Sequence, residues 1–148
     1  MKKDEVRDYA TAAFRFWARH GCPTYEEAAE RIRQRALRKA RGSDPAKALA
    51  YAEAEVEKAS AGLCDIMACS QVFETLTETG RGVICDAVRA VYMVDPWRAP
   101  KRGELSRRVL AFAYETPLSE RQVYLYLRRA RELFALARGL RIDDGEDW

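Results

Sequence analysis

Apolar residues in this chain recur at three- and four-residue intervals almost from end to end, and no stretch alternates as a half-buried strand would. That pattern confines the chain to packed helices, with Gly and Pro marking where each begins and ends. Val6, Tyr9, Ala10, Ala13, Phe14 and Trp17 make one apolar face of a first helix, predicted from about Asp4 to His20. Gly21 can close it in the left-handed conformation, and Pro23 keeps it from resuming. Thr24 and Glu27 form a T-x-x-E capping box opening a second helix, which runs to about Arg41 before Gly42.

Ser43 or Asp44 caps the next helix, with Pro45 at its first position, where a missing N–H costs nothing. The helical pattern then continues to about Thr79, broken only by Gly62. A helix of about 34 residues would span about 50 Å, longer than a small domain is wide. It either breaks near Gly62 or projects and pairs with a second copy. The small residues of 46–62 (AKALAYAEAEVEKASAG) allow close helix contacts, so a homodimer is expected.

Gly80 and Gly82 mark a further break. Val83 to Val94 is predicted as a compact apolar helix ended by Asp95 and Pro96, and WRAPKRG is a basic connector. Glu104 to about Glu115 form a short helix. Pro117 forces Thr116 out of helical geometry, Ser119 caps the last helix with Gln122 as its capping-box partner, and Gly139 terminates it. The division expected is 1–79 as a helical, dimerising part, 80–139 as a second unit, and 140–148 as an acidic tail.

Length and composition suit one domain with a helical annex: 148 residues, 48% hydrophobic, need no disulfide or metal staple to fold. Cys22, Cys64, Cys69 and Cys85 fit no disulfide or zinc-ribbon spacing and read as buried free thiols. The N-terminus is too charged for a signal peptide, and no apolar run approaches a membrane span. A cytoplasmic protein without a membrane partner is expected.

Charge is distributed unevenly. Residues 1–94 carry 15 Lys/Arg against 14 Asp/Glu, residues 95–141 carry 11 against 5, and residues 142–148 carry four acids and no base. The excess of six positive charges before the acidic end points to a polyanionic partner. The second helix is also basic, with Arg31, Arg33, Arg35, Arg38, Lys39 and Arg41, which reads as a solvated face or a second phosphate contact.

Enzymatic chemistry has no sequence support. The chain holds no phosphate-binding loop, dinucleotide fingerprint, zinc-protease motif or nucleophile elbow. His20, its one histidine, sits at a helix end, where an imidazole commonly meets carbonyls. Asp143, Asp144, Glu146 and Asp147 read as a solvated tail and not as a metal cluster. No catalytic residue, metal or cofactor is expected.

Residues 109–133 carry the functional signal. A helix-turn-helix needs a small residue in its first helix, a tight turn, and an apolar inner stripe that fixes the second helix. Ala113 is the small residue, with Val109 and Phe112 facing inward. Thr116-Pro117-Leu118 makes the turn, and Val123, Tyr126, Leu127, Ala130 and Leu133 form the inner stripe. The opposite face presents Glu120, Arg121, Tyr124, Leu125, Arg128 and Arg129. Arg121 and Gln122, in the first turn, are the candidates for base edges, although Gln122 is also claimed by the capping box. Tyr124 suits a thymine methyl or a phosphate. Arg128, Arg129, Lys101, Arg102, Arg107 and Arg108 suit phosphates.

The arrangement of Ala113, Ser119, Val123, Tyr126, Ala130 and Leu133 resembles region 4 of bacterial sigma factors, with Pro117 where that family usually has Gly. The whole chain resembles small prophage-encoded transcription regulators of the RinA/ArpU kind. That resemblance implies an all-α fold ending in a sigma-like helix-turn-helix, and a sequence-specific regulator of phage or prophage genes that binds double-stranded DNA. The other reading is a helical interaction module that binds RNA polymerase or a phage protein without touching DNA.

Overall fold

Seven α-helices make up the regular structure of residues 1–142, which are the residues the computed structural model describes; among them there is no strand. The helices are α1 (Lys3–Arg19), α2 (Tyr25–Lys39), α3 (Pro45–Lys58), α4 (Ser60–Glu78), α5 (Gly82–Tyr92), α6 (Glu104–Glu115) and α7 (Glu120–Arg138). The fold is all-α, as the periodicity requires. No helix among the described residues is long and apolar enough to cross a membrane. Of the expected acidic tail, residues 143–148 lie outside the described residues.

The core is organised around α1. Phe14 is fully buried, and its ring meets Phe134 of α7 at 5.7 Å, Phe73 of α4 at 6.1 Å and Tyr92 of α5 at 6.4 Å between centroids. Trp17 stands edge-on to Phe73 at 4.8 Å and donates its indole N–H to the Pro23 carbonyl at 2.8 Å. One apolar cluster therefore contains residues of α1, α2, α4, α5, α6 and α7. A polar junction closes the same region: the Tyr9 hydroxyl and the Arg138 guanidinium both donate to Asp65 Oδ1, at 2.7 and 2.8 Å. Burial, followed by the Asp65 carboxylate, holds the Tyr9 pKa above the ordinary phenol value.

Two expectations need correction. The break in the third predicted helix falls at Ala59 (φ −88°, ψ 8°), three residues before Gly62. Gly62 instead sits inside α4, where a Cβ would stand 3.3 Å from Phe16 Cζ, so its lack of a side chain serves packing rather than chain reversal. No 34-residue helix projects. α3 folds back along α2, and Arg33 donates to Glu53 at 2.8 Å across the pair. Ala52 and Val56, within the small-residue run, are thus buried within one chain. The second correction concerns the α2 cap. Thr24 Oγ1 accepts from the Glu27 N–H at 3.2 Å, but Glu27 makes no reciprocal bond among the described residues.

The connector between α5 and α6 is fastened by arginines. Arg15 is buried, and its guanidinium donates to the carbonyls of Pro96 and Arg98. Arg19 also reaches the Pro96 carbonyl, at 3.0 Å. Arg98 bridges Asp95 at 2.9 Å and Glu104 at 2.5 Å. α6 is thereby tied to α1 through a loop that has few apolar contacts of its own.

Candidate nucleic-acid interface

α7 begins where its sequence says it should. Ser119 Oγ accepts from the Gln122 N–H at 3.2 Å, and Gln122 Oε1 accepts from the Ser119 N–H at 2.9 Å. Thr116 is extended (φ −125°, ψ 164°), as Pro117 demands, and the turn contains no residue at positive φ. Gly139, at φ +77°, ends the helix, and the Leu140 N–H bonds back to the Ala135 carbonyl at 2.9 Å.

One stripe of α7 is locked into the protein. Val123, Leu127, Ala130 and Phe134 are buried, and Tyr126 and Leu133 pack partly against the core. Val109 of α6 is buried, and Phe112, Ala113 and Leu118 pack against the same cluster. These contacts hold α7 on α1, α4, α5 and α6 at once.

The opposite stripe faces outward. Arg121, Tyr124, Leu125 and Arg128 line an open depression of about 540 Å³ together with Glu120 and Arg131. Arg121, Tyr124, Arg128 and Arg131 follow the three-and-four spacing of a single helix face, about 15 Å long at 1.5 Å per residue. Arg121 makes no hydrogen bond or ion pair among the described residues. Arg128 pairs with Glu132 at 3.0 Å and Arg129 with the same carboxylate at 3.9 Å, both largely exposed. Such solvated pairs exchange readily for a stronger anion such as phosphate.

Not every predicted residue joins this face. Arg108 turns inward: its guanidinium donates to the Val91 carbonyl at 2.9 Å and pairs with Glu104 at 3.2 Å, and its side chain is 14% exposed. It holds α6 on α5 and does not stand with the exposed cations where the sequence placed it as a phosphate contact. Gln122 is exposed but its carbonyl oxygen is spent on the cap. Arg129 lines a neighbouring depression with Leu136, Leu140 and Arg141. Lys101 and Arg102, just before α6, and Arg107, about 12 Å along that helix from its end at Glu115, are exposed away from the turn into α7.

Two features of the face go beyond the sequence reading. Arg131 flanks the stripe, half-buried, and donates to the hydroxyl of the buried Tyr92 at 2.7 Å, which fixes its position. Its signal was its spacing, three residues after Arg128. Lys3 and Arg7 of α1 line a second depression with Arg128, Arg131, Asp4 and Glu132; Arg7 is paired with Asp4 at 3.4 Å and Asp8 at 3.2 Å, so Lys3 is the cation that α1 adds beside α7. No local pattern could reveal that, because the contact joins the two ends of the chain.

Of the six cations in the second predicted helix, two are engaged. Arg31 donates to the His20 carbonyl at 2.7 Å, and Arg33 pairs with Glu30 and Glu53. Arg35, Arg38 and Arg41 are exposed without ion pairs among the described residues.

Family models, curated proteins and solved structures give no match. The chemistry of the surface must therefore carry the functional reading.

Proposed function

We propose that α6 and α7 act as a helix-turn-helix that binds double-stranded DNA, and that the protein is a transcriptional regulator of the phage and prophage type its sequence resembles. One observation carries the reading: Arg121, Tyr124, Leu125 and Arg128 are exposed along one side of a helix whose other side is locked in the core. A helix already held in the core can enter the major groove without the cost of ordering its backbone, leaving only the side chains to be fixed. Arg121, in the first turn and unpaired among the described residues, is the side chain for a guanine edge. Arg128, with the exposed Lys3 beside it, supplies phosphate contacts.

The test is selection of bound sequences from a random duplex pool, followed by fluorescence anisotropy on the winner. A defined motif whose preference relaxes at one position in Arg121→Ala is expected. Glu132→Gln, which frees Arg128 and Arg129 from their carboxylate, is expected to bind duplex DNA severalfold more tightly. Weaker binding by that variant counts against the face.

A second reading has its own observation. Tyr114 is 93% exposed, and Leu110 and Leu125 are about half exposed on α6 and α7. Aromatic and aliphatic side chains so displayed suit a protein surface, such as RNA polymerase or a phage protein. Binding to a protein partner that is lost in Leu125→Ser but kept in Arg121→Ala, with no DNA binding at low salt, favours that reading.

A further inference from the structure

A further concavity lies away from α7, where α1, α2 and the α3–α4 junction meet. It encloses about 460 Å³, within the roughly 300–1,000 Å³ usual for small-molecule sites. Its floor is apolar: Phe16 of α1, Ile32 of α2, and the buried Leu63 and Ile66 of α4. Gly62 belongs to this floor, and any side chain there would press on the Phe16 ring at 3.3 Å. The absent side chain lets the Phe16 ring lie directly on α4 as part of that floor.

The rim has the opposite character. Arg31, Arg35 and Lys58 surround the mouth, and the single carboxylate among the lining residues, Glu55, is already paired with Lys58 at 3.3 Å. Arg31 spends one donor on the His20 carbonyl, whereas Arg35 has no hydrogen bond or ion pair among the described residues. An apolar floor beneath uncompensated guanidinium groups matches a particular ligand chemistry. A bare phosphate would leave the floor wet, and a neutral hydrophobe would leave the cations unmatched.

We infer that this cavity binds a small amphipathic monoanion, an aryl- or alkyl-carboxylate, with its body on the Phe16–Gly62–Ile66 floor and its carboxylate on Arg35. A planar guanidinium takes a carboxylate through two parallel hydrogen bonds, which fixes the head group's orientation as well as its charge. Because the site spans α1, α2 and the Ala59 junction, an occupant would brace the α2–α3 hairpin against α4. The inference does not rest on α7 binding DNA, and either can fail alone.

His20 provides a reporter. It is the sole histidine of the chain, lines the cavity, and stands edge-on to Phe16 at 4.5 Å. Burial, then Arg19, Arg31 and Arg35, lower its pKa below the ordinary imidazole value. Glu55 and Lys58 face the same space from α3. An anion seated at Arg35 offsets the cationic contribution and must raise that pKa.

The experiment titrates the full chain with 4-phenylbutyrate, octanoate and indole-3-acetate, each beside its neutral amide, and follows the His20 imidazole and backbone amides by NMR. At least one carboxylate is expected to saturate, shift amides around Ala59 and Gly62, and raise the His20 pKa. Its amide is expected to bind about tenfold or more weakly, as the loss of one charge-assisted bidentate contact implies. Arg35→Gln, at an exposed position whose change leaves the core intact, should weaken the carboxylate by a similar factor and leave the amide unchanged. No saturable response from any of the three, equal binding of acid and amide, or an unaffected Arg35→Gln variant each overturns the proposal.

Discussion

Glu104 shows how much one side chain can organise here. Its carboxylate accepts from Arg98 at 2.5 Å and from the Lys101 N–H at 2.7 Å, and pairs with Arg108 at 3.2 Å. The Arg98 hydrogen bond first, and the Lys101 N–H second, hold its pKa down at about 2. A carboxylate whose pKa is depressed on folding contributes stability that is fully present above its unfolded pKa, ordinarily about 4.3. That contribution is lost as pH falls through about 2. The protection factors of the α6 amides, which divide out the intrinsic pH dependence of exchange, are therefore expected to hold at pH 5 and to fall between about pH 4 and 2, with the step absent in Glu104→Gln. Arg15 is the companion case. It meets two carbonyls of the connector, yet Nη1 has no partner among the described residues, and burial, then the nearby Arg108, lowers its pKa. Neither role is legible in sequence, since each partner lies in a loop whose path only the fold decides.

At the scale of elements, helix starts and stops that rest on local chemistry were readable. Ser119, Gln122, Pro117 and Gly139 act within a few residues of one another, and the structure uses each as its type suggests. Ser119→Ala is expected to destabilise the chain by about 0.5–2 kcal/mol in urea unfolding and to fray the first turn of α7, where Arg121 sits. Features that depend on distant packing were not readable. A break near Gly62 is expected from the glycine, but it falls three residues earlier, at Ala59, and Gly62 is helical with Phe16 packed over it. Arg108 looked like any other exposed cation until the Val91 carbonyl came beside it. Phe134 escaped the inner stripe because its place lies beyond the helix-turn-helix pattern, against α1.

At the scale of the molecule, the α1 face joins what the sequence presented as two parts. Phe14 touches α4, α5 and α7, and Asp65 ties α1 to the end of α7. Unfolding is therefore expected as one transition, with tryptophan fluorescence and far-UV circular dichroism coinciding. Phe14→Ala should cost about 3–5 kcal/mol and lower both signals together. Separate midpoints would mean that the helices carrying the basic stripe fold independently of α1. The same junction bears on function, since the stripe on α7 is rigid only while its buried side is held.

The central claim is that this outward stripe meets the phosphates and bases of duplex DNA, and its most direct test is the salt dependence of binding. Anisotropy titrations across salt concentrations should give a linear fall of log Kobs with log[salt], at about −0.9 per phosphate contacted. Arg128→Ala is expected to reduce the magnitude of that slope by about 1, with a uniform loss of affinity across sequences. A chain that fails to bind duplex DNA at low salt, or an Arg128→Ala variant with an unchanged slope, contradicts the account.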